Sequence, residues 1–254
     1  MKHTIESFKS PQLPFHLQTW IINLDKNKDR LNQSMANYTA SDLSIVPIQR
    51  YSAIVGKNLN PEDYLSEYAL NEFQETNTRK YRTRHYQLTQ GGIGCFLSHM
   101  NLYKQLLQDK TMDYYLILED DIKIDKHAYA KIKALLQNPP DNWDMILVGY
   151  NRIFNSLPSM DETSLCFEVK SFWGTCGYLI NQQGAQKLVN AYTTMDCQID
   201  SFMSWLAIKH KLTIFTLNPP IVVPDSFYTD IQINLFPVNQ IDAFMYHDVY
   251  LGNK

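Results

Sequence analysis

The chain has 254 residues, 44% of them hydrophobic and 19% charged, which is ample material for a large core and excludes a disordered chain. Its 23 basic and 26 acidic side chains leave a formal charge of −3, too little positive field to gather nucleic acid. Apolar runs such as residues 114–118 and 145–148 are far shorter than the roughly 18 residues of a membrane-spanning helix.

The first 16 residues read as a polar leader with scattered charges and prolines rather than a signal peptide. The expectation is a cytoplasmic protein, peripheral at the inner membrane face if its acceptor is lipid-linked. Cys95, Cys166, Cys176 and Cys197 are widely spaced, form no C-x-x-C pair and read as buried thiols. The two acceptor sequons at Asn32 and Asn37 fall in a helical stretch and read as chance.

In chain order, residues 17–24 (LQTWIINL) form a compact apolar run that predicts a buried strand, followed by a turn and a helix over 28–38. Residues 45–51 predict a second strand. Pro61 suits a first helical position, and a helix is expected to about residue 73, with a polar, basic, exposed loop over 74–87. Thr89 is the expected N-cap of a helix whose apolar residues Ile93, Phe96, Leu97, Met100, Tyr103 and Leu107 recur at helical spacing.

A strand over 114–118, a helix over 125–137 ended by Asn138-Pro139-Pro140, and a strand over 143–149 follow. Strands at 165–169 and 175–180, helices at 182–192 and 198–210, and a strand at 213–217 complete the pattern, with an irregular tail beyond Pro224. Alternation of strands and helices predicts a mostly parallel sheet flanked by helices, in one domain spanning 17–224. The tail, 225–254, is expected to close the active site.

The sharpest local feature is Leu116-Ile117-Leu118-Glu119-Asp120-Asp121, an apolar strand running into three carboxylates. Ligands of open α/β sheets sit at the carboxyl ends of strands. Three adjacent carboxylates repel one another unless a cation relieves them, and hard oxygen donors suit Mg²⁺ or Mn²⁺. Strand alternation points Glu119 and Asp121 the same way, as the metal-facing pair. The alternative is that these acids merely cap the helix beginning near Asp125.

Upstream, Gly91-Gly92-Ile93-Gly94-Cys95-Phe96-Leu97-Ser98-His99 opens a helix with three glycines, which permit close approach of a ligand to free backbone N–H groups. It has neither the Gly-Lys-Ser/Thr of a P-loop nor G-x-G-x-x-G spacing. The basic segment Arg79–His85 reads as a solvated loop or an acceptor-side lid, and Trp173 as core or as a sugar-stacking platform.

The run Leu88 to His99 together with Ile117 to Asp121 resembles the signature of glycosyltransferase family 25. The resemblance extends to Ile21-Ile22-Asn23-Leu24 with Arg30, to Gly174-Thr175-Cys176-Gly177-Tyr178 with Gly184-Ala185, and to Ile199-Asp200, over roughly residues 19–220. Gly92 departs from the pattern, which commonly has Glu there. The resemblance implies a GT-A-like, Rossmann-type α/β fold and metal-dependent, inverting transfer of galactose or glucose from a UDP-sugar. The implied acceptor is a glycan or glycolipid, lipooligosaccharide or another cell-surface glycan.

On this resemblance Asn23, Leu24, Arg30, Gly94, Ser98 and Asp120 bind the donor, while Glu119 and Asp121 hold Mn²⁺ or Mg²⁺. Asp200 matches an acidic family position and lies near the start of its helix, at the border of an apolar stripe; it is the candidate general base. The alternative for it is a helix-dipole partner. His99 is a candidate positioning residue, and His247 a candidate third metal ligand. Two other classes compete: a catalytically inactive nucleotide-sugar or carbohydrate-binding protein, and a Mg²⁺-dependent nucleotidyltransferase.

Overall fold

The computed structural model describes residues 14–156 and 165–225. Ten strands and six α-helices are present there: β1 (Leu17–Asn23), α1 (Lys28–Ala40), β2 (Ile48–Ser52), α2 (Glu67–Arg79), α3 (Gln90–Gln108), β3 (Tyr114–Glu119), β4 (Ile122–Ile124), α4 (Ala128–Gln137), β5 (Met145–Gly149), β6 (Arg152–Ser156), β7 (Cys166–Trp173), β8 (Gly177–Asn181), α5 (Gln182–Ala191), α6 (Ile199–Ile208), β9 (Ile214–Leu217) and β10 (Val222–Pro224). No described helix is long and apolar enough to cross a membrane.

Eight strands form one sheet in the order β2-β1-β3-β8-β5-β9-β7-β6. Six of them run one way; β8 and β7 run against their neighbours. The α/β class with a mostly parallel, helix-flanked sheet is therefore as expected, and β8 is an antiparallel insertion in its middle. β3 and β5 read as continuous apolar runs because both sheet faces are covered.

Alternation sorts their side chains between two cores. Tyr115, Ile117, Met145, Leu147, Tyr178 and Ile180 pack with residues of α2, α3, α5 and α6. Leu116, Leu118, Ile146, Val148 and Leu179 pack with residues of α1 and α4 on the other face. Full burial of the aliphatic side chains in β3 and β5 contributes about 1.5–3 kcal/mol each.

Several expected boundaries shift for identifiable reasons. The strand expected at 45–51 is preceded by a 3₁₀ turn, Asp42–Ile45, capped by the Ser41 hydroxyl; pairing begins after Pro47, whose carbonyl accepts the Thr19 N–H at 2.9 Å. Pro61 opens a 3₁₀ turn, and α2 starts only at the Ser66 cap. It then runs through most of the first half of the expected loop, because Ala69, Phe73 and Thr76 bury one face.

The rest of that segment is not solvated either: Arg82 has no exposed surface, and Tyr86 and Gln87 are buried. Two three-residue strands, β4 and β10, pair antiparallel with each other and were too short to read from sequence. None of the four cysteines is in a disulfide; Cys176 and Cys197 are buried and the other two half-buried.

Candidate active site

β3 delivers its acids to a cleft of about 430 Å³ at the carboxyl edge of the sheet. One wall is the segment after β1, with Leu24, Lys26 and Asn27; another is the loop Ile54–Lys57; the floor is α3 and the acids. The alternative role for the acids fails here. The first turn of α4 is capped from afar by Asp42, whose carboxylate accepts the N–H groups of Tyr129 and Ala130 at 2.7 and 3.1 Å. Glu119, Asp120 and Asp121 are left with no share in that cap.

β3 ends at Glu119, so extended alternation does not persist, yet all three acids still line the cleft. Asp120 is the most tightly held. It accepts from Asn23 Nδ2 at 2.5 Å and from the Arg30 guanidinium, and its carbonyl accepts from Ser34 Oγ at 2.8 Å. Arg30 also pairs with Asp121 at 3.0 Å, and Glu119 accepts from Thr175 Oγ1 at 2.5 Å.

Burial pushes the Glu119 carboxyl up to about 8, with the Asp121 charge adding to the effect. Burial also raises Asp120 and Asp121; Asn23 and Arg30 oppose the rise at Asp120, and Arg30 does so at Asp121. Two of the three carboxylates thus share one guanidinium, while the third, Glu119, is held by the Thr175 hydroxyl. The surplus negative charge and the all-oxygen donor set fit a hard divalent cation such as Mn²⁺ or Mg²⁺.

Within the glycine-rich start of α3, Gly94 does something other than expected. A Cβ on Gly94 would lie 2.3 Å from the Ile54 carbonyl oxygen and 2.7 Å from the Gly56 nitrogen, so the glycine admits a loop of the same chain rather than a ligand. Ser98 fastens that loop: its hydroxyl donates to Gly94 O at 2.7 Å and accepts from Ile54 N at 2.9 Å. Gln90 Nε2 adds bonds to the carbonyls of Gly56 and Leu59 at 2.6 and 2.9 Å.

The α3 residues that line the cleft are Gly91, Cys95 and His99, spaced by four. His99 is fully buried, and burial lowers its pKa to about 3, so the ring is neutral. Its Nδ1 bonds Tyr178 Oη at 2.6 Å, which in turn bonds Tyr103 Oη at 2.7 Å.

Asp200, at the start of α6, does not line this cleft but lies close enough for its charge to act on Glu119. Its carboxylate accepts from the N–H groups of Gly174 at 3.0 Å and Ser201 at 2.7 Å. Gly174 takes φ +82°, which favours glycine. Burial raises the Asp200 pKa against those bonds and the charge of Arg82.

Burial lowers Arg82 to about 10, with Asp200 opposing, and its Nη1 donates to the His85 carbonyl at 2.8 Å. His85 packs against Trp173 with the rings tilted by 34° and their centroids 3.5 Å apart. The basic segment is therefore a built wall beside Asp200, and Trp173 already has a ring partner.

Among the expected site residues, Leu24, Arg30, His99 and the three acids converge on the cleft, and Asn23 supports Asp120 from behind. Gly94 and Ser98 act on the loop, and Asp200 sits apart. His247 and all of the closing tail after Asp225 lie outside the described residues, although Asp225 N donates to Asp121 O at 2.7 Å. Sequence reading gave no site role to Lys26, Lys57, Thr175 and Cys95. The charged run Asp25–Arg30 was the signal for the first, and Cys95 and Thr175 lie inside the Gly91–His99 and Gly174–Tyr178 stretches; Lys57 is an isolated side chain with no pattern of its own.

Residues 16–203 match the model of glycosyltransferase family 25 (LPS biosynthesis protein). Human procollagen galactosyltransferase 2 is 29% identical over 77% of this chain and 31% of its own length. A glycosyltransferase 25 family member of Drosophila pseudoobscura pseudoobscura is 32% identical over 78% of this chain and 31% of its own. The chain spans about a third of the length of these relatives. Among solved structures, a Drosophila β-galactosyltransferase 7 in complex with manganese, UDP-Gal and xylobiose has a TM-score of 0.41 at 11% identity, covering 89% of this chain and 78% of that one.

Proposed function

The chain belongs to glycosyltransferase family 25, and from that premise we propose that it transfers a hexose, galactose or glucose, from a UDP-sugar to a glycan hydroxyl. The transfer inverts the anomeric centre and forms a β-linkage. The observation that supports this reading most is the convergence of Glu119, Asp120 and Asp121 on a cleft that Arg30 also lines, pairing with the two aspartates, and whose 430 Å³ suits a nucleotide sugar. The acceptor class is a cell-surface glycan such as lipooligosaccharide, with procollagen, the word in the relatives' names, as the alternative.

Glu119 and Asp121 hold the divalent cation, Mn²⁺ or Mg²⁺. When bound, it supplies positive charge against the departing diphosphate. Asp120, immobilised by Asn23 and Arg30, accepts hydrogen bonds from ribose or sugar hydroxyls. Leu24 and the Ile54–Lys57 loop enclose the donor, and Gly94 and Ser98 hold that loop in place. His99, neutral and fixed by Tyr178, positions the donor from the floor.

Asp200 takes the acceptor hydroxyl's proton as the new C1–O bond forms and the bond to the diphosphate breaks. Its raised pKa suits this task, because a more basic carboxylate is a better proton acceptor.

A donor-hydrolysis screen across UDP-sugars, with and without Mn²⁺, tests the reading. UDP release from UDP-galactose or UDP-glucose, dependent on Mn²⁺ and lost in Asp121→Asn, is expected. Pyrophosphate release from a nucleoside triphosphate plus sugar 1-phosphate would assign a nucleotidyltransferase instead. Unchanged Mn²⁺ and UDP affinity in Asp121→Asn would remove that residue from the cation site.

A further inference from the structure

Beyond its acids, the cleft floor contains a second donor set. Cys95 and His99 stand four residues apart on α3, where side chains are neighbours, and Glu119 reaches them from β3. One ligand atom from each of the three lies within 4.8 Å of the other two. The decisive feature is His99. Its ring has no exposed surface and lines the cleft, and Nδ1 is engaged by Tyr178, yet Nε2 has no hydrogen-bond partner among the described residues. An unpaired buried ring nitrogen costs free energy, and native structures seldom leave one without a use.

We propose that Cys95, His99 and Glu119 form a binding site for a borderline-soft divalent cation, Zn²⁺, at the floor of the cleft. The donors are one sulfur, one imidazole nitrogen and one carboxylate oxygen, a set zinc takes readily and Mg²⁺ does not. Tetrahedral zinc holds such ligands about 3.3–3.6 Å apart, so small side-chain rotations close the present spacing. Three protein ligands leave a fourth position open to the cleft.

The Tyr178 hydroxyl, itself bonded to Tyr103, fixes the ring through Nδ1 and directs the lone pair of Nε2 at the ion. Binding converts the Cys95 thiol to thiolate, and its proton passes to solvent.

Glu119 belongs to both donor sets. Zinc at this site therefore withdraws it from Asp121 and opposes Mn²⁺. That coupling rests on the function proposed above; the binding of zinc does not.

Cobalt titration of the metal-free full chain tests the site without any activity readout. One equivalent of Co²⁺ gives a thiolate-to-cobalt charge-transfer band that Zn²⁺ abolishes. Cys95→Ser, checked for folding by its melting curve, loses the band, whereas Asp121→Asn keeps it. Tyr178→Phe keeps Cys95 and lowers Zn²⁺ affinity by about 10–100-fold, the usual effect of removing a ligand's supporting hydrogen bond.

No band in the wild-type protein, or a band that survives in both Cys95→Ser and Cys95→Ala, overturns the proposal. A band lost in Asp121→Asn but kept in Cys95→Ser does so as well. If the band behaves as stated but no UDP-sugar is turned over under any condition, the zinc site stands and the transferase reading fails.

Discussion

Replacing Arg30 with Met removes a charge that bonds two of the three acids while preserving most of the aliphatic stem. At the 3.0 Å separation from Asp121, and with an effective dielectric of about 20, a single pair gains about 5–6 kcal/mol of gross attraction. The net loss is smaller, because the Arg30 side chain is 26% exposed and the acids can protonate in response. Removing one partner of a fully buried pair costs about 3–5 kcal/mol, so about 2–4 kcal/mol is expected here.

For a chain of this size that corresponds to a melting temperature lower by roughly 4–16 °C at pH 7. Mn²⁺ should restore more stability to Arg30→Met than it adds to the wild type, since the ion supplies the missing positive charge to the same carboxylates. Paired thermal melts in EDTA and in Mn²⁺ measure both effects. A shift below about 2 °C, or equal Mn²⁺ stabilisation of the two proteins, would refute the view that these acids are held together against their own repulsion.

Three further outcomes follow from the same geometry. Glu119 has its folded pKa raised from 4.5 to about 8, so the folded state binds the extra proton; its contribution is full below about pH 4.5 and is lost as pH rises through about 8. The metal-free melting temperature should therefore fall across that window, and Glu119→Gln should flatten the slope; an unchanged slope in the variant would assign it to other groups. Asp200→Asn should leave UDP-sugar affinity near wild type and lower turnover by about 10²–10⁴-fold, whereas near-wild-type turnover with a stability loss of about 0.3–1 kcal/mol would leave it only a helix-end charge. Gly94→Ala places a Cβ 2.3 Å from the Ile54 carbonyl, a backbone atom with little freedom to move. It should cost about 1–3 kcal/mol and raise the KM for donor by loosening the loop; unchanged stability would show that the loop yields freely.

The sequence by itself determined the α/β class, because buried strands such as 114–118 and 145–148 are continuous apolar runs and helices carry a 3.6-residue stripe, both local signals. It also determined where the acids would be: a strand that ends in Glu119-Asp120-Asp121 must present them at the edge of whatever sheet it joins. Only the tertiary structure decided what those residues do for one another.

Arg30 reaches Asp120 and Asp121 across some 90 positions, and Asp42 caps a helix about as far away. Neither leaves any periodic mark. The burial of Arg82 was illegible for a similar reason, since a buried cation needs compensating charge, and that of Asp200 comes from a helix distant in the chain. Gly94 shows the division most plainly: composition indicates that something approaches closely there, but only the folded chain shows that it is the loop at Ile54–Gly56 rather than a ligand.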